Sequence, residues 1–124
     1  MPVHHDILLV EDEEAIVDLL CRVLERAHYT VRVATDGRQA LTALAEQLPA
    51  VLILDITLPG VSGLTVLEQM HQQQLTVPTI IMTGDLLQHA ASPYTGIVQI
   101  LLKPFPIAEL LSILNTRILR SLSV

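Results

Sequence analysis

The sequence predicts a doubly wound parallel α/β domain, and three observations lead to this fold class. Short aliphatic runs recur along the 124-residue chain. Most of these runs are wholly or almost wholly apolar, which is typical of strands covered on both faces, as in a parallel sheet. Segments with an apolar helical repeat lie between them, so the order is strand–helix repeated five times. Right-handed crossovers would then make the strands parallel.

Five segments are predicted as strands. Four of them are continuous or nearly continuous apolar runs and should be buried on both faces. The fifth alternates between apolar and polar residues and is predicted to lie nearer an edge of the sheet. The four continuous runs are residues 7–10, 51–54, 79–82 and 97–102, and the alternating segment is residues 30–34.

Four segments carry the apolar repeat of a helix. Asp36 and Ser62 stand before two of them and are predicted N-caps, since short polar side chains accept hydrogen bonds from the first free N–H groups. Between residues 83 and 96 only a short, irregular helix is expected, because Pro93 limits it. The repeats are Ile16, Leu19, Leu20, Val23, Ala27; Ala40, Leu41, Leu44, Ala45, Leu48; Leu64, Leu67, Met70; and Ile107, Leu110, Leu111, Leu114, Ile118.

The amino-acid composition excludes several functional classes. Hydrophobic residues make up 51% of the chain, enough for the core of one domain over residues 1–124. The net charge of -6 argues against direct binding of nucleic acid, which needs clustered Lys and Arg. No apolar run approaches the roughly 18 residues that cross a bilayer, and the first residues lack the basic start of a signal peptide. The single cysteine, Cys21, excludes an internal disulfide and is predicted to be a packed residue rather than a reactive thiol. A soluble cytoplasmic protein without membrane contact is therefore expected.

Five polar residues follow four of the predicted strands: Glu11, Asp12, Asp55, Thr83 and Lys103. Because the carboxyl ends of parallel strands meet at one edge of the sheet, these side chains should converge. Three carboxylates together repel one another unless a cation offsets their charge, and oxygen ligands favour Mg²⁺ or Mn²⁺. Lys103 and Thr83 add a positive charge and a hydroxyl, which together suit a phosphoryl group. Asp55 is predicted as the nucleophile that accepts it.

This arrangement resembles the receiver domain of two-component response regulators, and the resemblance covers nearly the whole chain. The resemblance implies a flavodoxin-like, CheY-like three-layer sandwich around a five-stranded parallel sheet in the order 2-1-3-4-5. The matching pieces, in the family's order, are Glu11-Asp12, Asp55, Leu58-Pro59 followed by Gly63, Thr83-Gly84 and Lys103-Pro104-Phe105.

The resemblance also implies a role for each acid. Asp55 would be the phosphoacceptor. Glu11, Asp12 and Asp55, together with the backbone carbonyl of Thr57, would bind Mg²⁺ or Mn²⁺. The phosphoryl donor would be a phosphohistidine on a sensor histidine kinase or on a histidine phosphotransfer domain. Such a module is a signalling switch and not an enzyme beyond its self-catalysed phosphotransfer and autodephosphorylation.

Two further residues receive roles from the resemblance. Lys103 would pair with the phosphoryl group, and its peptide bond to Pro104 is often cis in the family. Thr83 would be the switch hydroxyl, which moves toward the phosphoryl group and draws its loop with it.

The sequence departs from the family pattern at two places. These departures leave open how phosphorylation would change the partner-binding surface. Ile100 stands where an aromatic residue usually turns inward, and Tyr94 is one candidate to replace it. The segment between Thr83 and Lys103 is short and contains Pro93, so its partner-binding face should differ. An alternative function is therefore a receiver fold that serves as a phosphorylation-independent platform for protein interaction.

Two other classes fit less well. The stretch LILDIT partly resembles haloacid dehalogenase-type phosphatases, but Thr57 replaces their second acid and the motif lies on the third predicted strand rather than the first. A flavodoxin-like flavin site needs a phosphate-cradling loop after the first strand, where the acids at 11–14 would repel phosphate.

The last predicted helix has apolar residues off its main face, namely Ile113, Leu119 and Leu122. A following segment of a longer protein would cover them, or they would form a dimer or partner surface. A homodimer through the face of the fourth and fifth predicted helices is the second of these alternatives, and both remain open.

Overall fold

The computed structural model describes residues 5–84 and 94–119, with the backbone alone for residues 117–119. Its five strands form one parallel sheet in the order β2-β1-β3-β4-β5. The sequence-predicted strands, their order and the edge position of residues 30–34 are confirmed, with boundaries that differ by at most two residues. The predicted burial of residues 97–102 on both faces is wrong, because β5 forms the other edge of the sheet and only Leu101 in it is buried. The strands are β1 (His5–Val10), β2 (Tyr29–Ala34), β3 (Val51–Asp55), β4 (Thr79–Thr83) and β5 (Ile97–Leu102).

Four α-helices lie within the described residues: α1 (Glu14–Arg26), α2 (Gly37–Glu46), α3 (Gly63–Gln72) and α4 (Ile107–Ile113), which continues as a π-helix over Leu114–Leu119. Both predicted caps are confirmed, because Asp36 and Ser62 accept hydrogen bonds from backbone N–H groups in the first turns of α2 and α3. None of the helices in the described ranges has both the length and the hydropathy of a bilayer-spanning helix. The short helix expected between β4 and β5 falls on residues 85–93, outside the described part of the chain.

The sheet is covered on both faces, which explains why residues 7–10, 51–54 and 80–82 of its three central strands are all apolar. Alternate residues of a strand point to opposite faces. Leu8 and Leu52 pack toward α2 and α3, whereas Ile7 and Ile53 pack toward α1 and α4. The predicted three-layer arrangement is thereby confirmed.

The buried face of α1 differs in part from the predicted stripe. Leu20 and Leu24 are buried, but Leu19 is 50% exposed, because the stripe that faces the sheet advances by four residues and leaves Leu19 on its flank. Cys21 is partly buried on the same helix. Burial, together with two nearby carboxylates, raises the pKa of its thiol, which agrees with a packed rather than a reactive cysteine.

The last helix also departs from its predicted pattern. Ile113 was expected off the main face, yet it is buried with Leu110 and Leu114 against the sheet. The physical reason is that Ile113 follows Leu110 by three residues, so the two share one side of the helix. The side chains of Leu119 and Leu122 lie outside the described residues, so the dimer surface suggested for them remains a prediction.

Arg32 ties β1, β2 and the end of α2 together. Its guanidinium donates to the carboxylate of Asp6 on the adjacent strand β1, two residues before Leu8, the residue opposite Arg32, with Nη2 2.8 Å from Oδ2. It also donates to the backbone carbonyls of Ala43, at 3.2 Å, and Gln47, at 2.8 Å. A cation at a helix C-terminus additionally interacts favourably with the helix dipole. One side chain therefore fixes the C-terminal end of α2 to the sheet.

We expect Arg32→Ala to lower the free energy of unfolding by about 2 kcal/mol, since charge-assisted hydrogen bonds are lost and Asp6 is left without its partner. Urea unfolding followed by far-ultraviolet circular dichroism measures this, because the chain has no tryptophan. Arg38→Ala, on the exposed side of α2, is the matched control and should change little. An equal loss in the two variants would show that the Arg32 contacts carry no stability of their own.

Candidate functional site

Backbone pairing of the strands places the predicted site residues at one edge of the sheet. Glu11 follows β1, and its N–H donates to the carbonyl of Ala34 at the end of β2, at 3.0 Å. Asp55 and Thr83 end the adjacent strands β3 and β4. Lys103 follows β5, and its N–H donates to the carbonyl of Thr83 at 2.8 Å. The carboxyl ends of four strands thus bring these residues together, as the sequence predicts.

The centre of the site is an ion-paired triad. Lys103, the only lysine in the sequence, donates from Nζ to Glu11 Oε1 at 2.7 Å and to Asp55 Oδ2 at 3.0 Å. The side chain of Glu11 is fully buried and that of Asp55 is 5% exposed, while that of Lys103 is 21% exposed. One ammonium therefore contacts two carboxylates that are nearly removed from water, and hydrogen bonds of this kind are among the strongest in proteins.

Asp12 completes an acidic cluster at the mouth of the site. It is exposed, and one carboxylate oxygen from each of Glu11, Asp12 and Asp55 lies within 4.8 Å of the others. The Asp12 N–H donates to Glu11 Oε2 at 3.1 Å, which orients the buried carboxylate. Three converging carboxylates form an oxygen-only donor set, which is the kind that hard divalent cations prefer.

Three carboxylates and one ammonium meet in this cluster. Burial raises the pKa of Glu11 to about 7, and the hydrogen bond and repulsion from Asp55 act in the same direction, against Lys103. For Lys103, burial alone would lower the pKa. The bonds to Glu11 and Asp55 outweigh burial and raise the pKa above its ordinary value. The site therefore has more negative charge than Lys103 offsets, and a further cation would stabilise it.

Both oxygens of Asp55 have fixed partners. Oδ2 accepts from Lys103, and Oδ1 accepts from the backbone N–H of Thr57 at 2.9 Å. Thr57 is exposed in the loop after β3, two residues beyond Asp55. This hydrogen bond holds the loop against the carboxylate, and the Thr57 carbonyl remains a predicted metal ligand.

Thr83 and Ile100 lie on the neighbouring strands β4 and β5. Thr83 is fully buried, and Ile100 is half-buried, packed on the face that α2 and α3 cover. Tyr94 is not beside them, since its hydroxyl accepts from the N–H of Val77 at 2.9 Å and donates to the Val77 carbonyl at 2.6 Å. Val77 lies just before the amino end of β4, whereas Thr83 is at the carboxyl end of the same strand. Tyr94 is therefore anchored away from the site and does not replace the missing aromatic at Ile100.

An apolar cavity of about 400 Å³, which the sequence pattern did not predict, adjoins the site. It lies between α1 and the segment after β5, and the peptide bond from Lys103 to Pro104 in that segment is cis, as the resemblance implies. Sequence reasoning counted Leu19 as core, and no local pattern distinguishes such a residue from a buried one. The lining residues are Glu13, Ile16, Leu19, Leu20, Lys103, Pro104, Phe105 and Ile107.

Comparison with known proteins decides the family. The sequence matches the family model of the response regulator receiver domain over residues 7–115. The chain belongs to this family. Receiver domains are signalling domains of two-component systems rather than turnover enzymes, and response regulators interact with histidine kinases.

Curated relatives of this receiver domain are longer transcriptional regulators. The transcriptional regulatory protein TrcR of Mycobacterium tuberculosis is 32% identical over 117 residues, which cover 93% of this chain and 46% of the relative. The DNA-binding transcriptional regulator NtrC of Salmonella typhimurium is 38% identical over 112 residues, covering 89% and 24% respectively. The chain thus spans about a quarter to a half of these relatives.

Solved structures agree with the fold of the receiver domain. The signal receiver domain of an HD domain-containing protein from Pseudomonas fluorescens superposes with a TM-score of 0.85 at 33% identity, covering 98% of this chain and all of that one. A CheY-like response regulator receiver domain protein from Methanospirillum hungatei has a TM-score of 0.85 at 26% identity, covering 94% of each chain.

Proposed function

We propose that residues 1–124 form one receiver domain that accepts a phosphoryl group on Asp55 from a phosphohistidine and then switches its interaction surface. The donor would be a histidine kinase or a histidine phosphotransfer domain. The observation that carries this proposal is the ammonium of Lys103 bonded to both Asp55 and Glu11, beside a cluster of three carboxylates.

The acidic cluster fits a divalent cation, Mg²⁺ or Mn²⁺, because its donors are all oxygens and three carboxylates converge beside one ammonium, that of Lys103. Glu11, Asp12 and Asp55 would hold the ion with the carbonyl of Thr57. When bound, it would neutralise charge on the phosphoryl oxygens.

The transfer itself needs positioning more than further covalent chemistry. A carboxylate oxygen of Asp55 attacks the phosphorus, and the bond from phosphorus to the imidazole nitrogen of the donor breaks. The imidazole keeps the electron pair, and an acyl phosphate forms on Asp55. Lys103 would then exchange Asp55 Oδ2 for a phosphoryl oxygen, and the Thr83 hydroxyl would donate to another. Attack of water on the phosphorus returns the carboxylate and releases inorganic phosphate.

Phosphorylation by acetyl phosphate tests this function. Wild-type protein with Mg²⁺ should show a retarded band on a phosphate-affinity gel, and EDTA should abolish it, because the acceptor carboxylate then lacks the cation. The alternative platform function has one specific observation in its favour: Ile100, three residues before Lys103, is aliphatic, and Tyr94 is anchored elsewhere. If the wild-type protein, like the Asp55→Asn variant, shows no retarded band, the result would support the platform function.

We further propose that the donor docks over the apolar cavity, since Lys103 both lines it and bonds Asp55. Leu19→Ala should slow transfer from a phosphorylated histidine phosphotransfer domain about tenfold, while leaving phosphorylation by acetyl phosphate unchanged. Leu48→Ala is the control, because Leu48 is 45% exposed but does not line the cavity. Equal slowing with both phosphoryl sources would count against docking, since it would place the defect in the chemistry.

A further inference from the structure

Gly37, the buried first residue of α2, is in backbone contact with the loop that follows Asp55. A Cβ atom on residue 37 would stand 2.1 Å from the carbonyl oxygen of Val61 and 2.8 Å from its Cγ1. Separations this short do not occur between real Cβ atoms and their neighbours. The φ angle of Gly37 is not in the left-handed region, so the close approach alone requires glycine here.

The contacted loop, residues 56–62, is here called the acceptor loop. It is closed at its base, because the N–H of Gly63 donates to the carbonyl of Ile56 at 3.0 Å. A Cβ atom on Gly63 would lie 2.5 Å from the carbonyl oxygen of Asp55, so the base is tightly packed as well. Within this short closed loop, Thr57 donates to Asp55 Oδ1. A displacement at Val61 therefore reaches Thr57 and the carboxylate.

We propose that Gly37 is a positioning residue for the phosphoacceptor site, an inference that rests on the proposed function. By lacking a side chain, it lets the start of α2 support the backbone of the acceptor loop at Val61. This support fixes the Thr57 carbonyl and the Asp55 carboxylate in the geometry that a divalent cation needs. Groups behind the ligands commonly tune metal sites in this way.

The loop, rather than the helix, should yield to a methyl group at position 37. The start of α2 is held by the Asp36 cap on the N–H of Gln39 and by the bonds of Thr35 to the Gln39 side chain. Arg32 holds its other end. In the middle of the acceptor loop, by contrast, Thr57, Pro59 and Gly60 are exposed, so the loop has solvent to move into.

The test compares Mg²⁺ affinity by titration calorimetry in Gly37→Ala and wild type. We expect the affinity to fall at least about tenfold, with phosphorylation by acetyl phosphate slowed in step. Unfolding in EDTA should stay cooperative, with a lower midpoint because the backbone of Val61 must shift. The stabilisation gained at a fixed high Mg²⁺ concentration should also shrink by about 1.4 kcal/mol, the equivalent of a tenfold change, and this second loss is the one that the positioning role requires. A role in folding alone would lower stability in EDTA and leave that Mg²⁺ increment unchanged. Arg38→Ala, on the next residue, should match wild type.

A second variant keeps the inference open to refutation if Gly37→Ala does not fold. Val61→Ala keeps the glycine but removes the side chain that rests on it, and should weaken Mg²⁺ binding in the same direction by less. Wild-type Mg²⁺ affinity in folded Gly37→Ala, or in Val61→Ala when Gly37→Ala is unfolded, would overturn the positioning role alone. Failure of the wild type to bind Mg²⁺ would overturn the proposed function and this inference with it.

Discussion

Asp55→Asn is expected to abolish phosphorylation by acetyl phosphate while the domain stays folded. An amide has the shape of the carboxylate but is not a nucleophile toward phosphorus. The side-chain oxygen can still accept from the N–H of Thr57, so the acceptor loop keeps its anchor. Lys103 keeps its bond to Glu11. The expected result is complete loss of the retarded band on a phosphate-affinity gel.

The stability of this variant provides a second readout. Asp55 raises the pKa of Glu11 through a hydrogen bond and repulsion, so its removal relieves unfavourable charge in the metal-free site. In EDTA, the free energy of unfolding of Asp55→Asn should equal or exceed that of wild type. Asp36→Asn makes the same chemical change at a helix cap, where Asn and Asp serve equally well, and should retain phosphorylation. A retarded band that survives in Asp55→Asn would place the acceptor on another residue.

Lys103→Met is expected to destabilise the metal-free protein by about 3 kcal/mol near pH 8, because removing one partner of a buried ion pair leaves uncompensated charge. Glu11 is fully buried and Asp55 nearly so, and both bond this one ammonium. Methionine keeps most of the length of the lysine stem, so lost packing contributes little. Urea unfolding in EDTA measures the effect, with Arg38→Ala as an exposed-cation control.

The pH dependence of the Lys103→Met variant has a definite sign. Glu11 already has its pKa raised from 4.5 to about 7, and loss of Lys103 raises it further. When the folded pKa of a carboxyl lies above its unfolded value, the native state binds more protons between the two values. Stability then falls as pH rises through the folded pKa. The variant should therefore be more stable near pH 5.5 than near pH 8, and Mg²⁺ should recover part of the loss at the higher pH. Equal stability at both pH values would show that Glu11 is not the group left uncompensated.

The elements of the fold could be predicted from sequence because their signals are local. A strand covered on both faces needs apolar residues at nearly every position, and residues 51–54 and 80–82 show this directly. The caps at Asp36 and Ser62 are equally local, since each acts within three residues. Which residues of a helix are buried was harder to predict. Leu19 satisfies the same repeat as Leu20, and only the position of α1 against the sheet leaves one exposed and the other buried.

What the sequence by itself determined is the supply of functional groups: acids, a hydroxyl and one lysine, each placed at or just after the carboxyl end of a strand. Parallel pairing then carries those groups to one edge. The tertiary structure alone decided which groups touch. Lys103 bonds Glu11 across 92 positions of the chain, Gly37 supports Val61, and Tyr94 binds at the far edge of the sheet. The periodicity of apolar residues depends only on neighbours along the chain. The contacts named above depend instead on distances between segments, which are fixed only once the layers have packed.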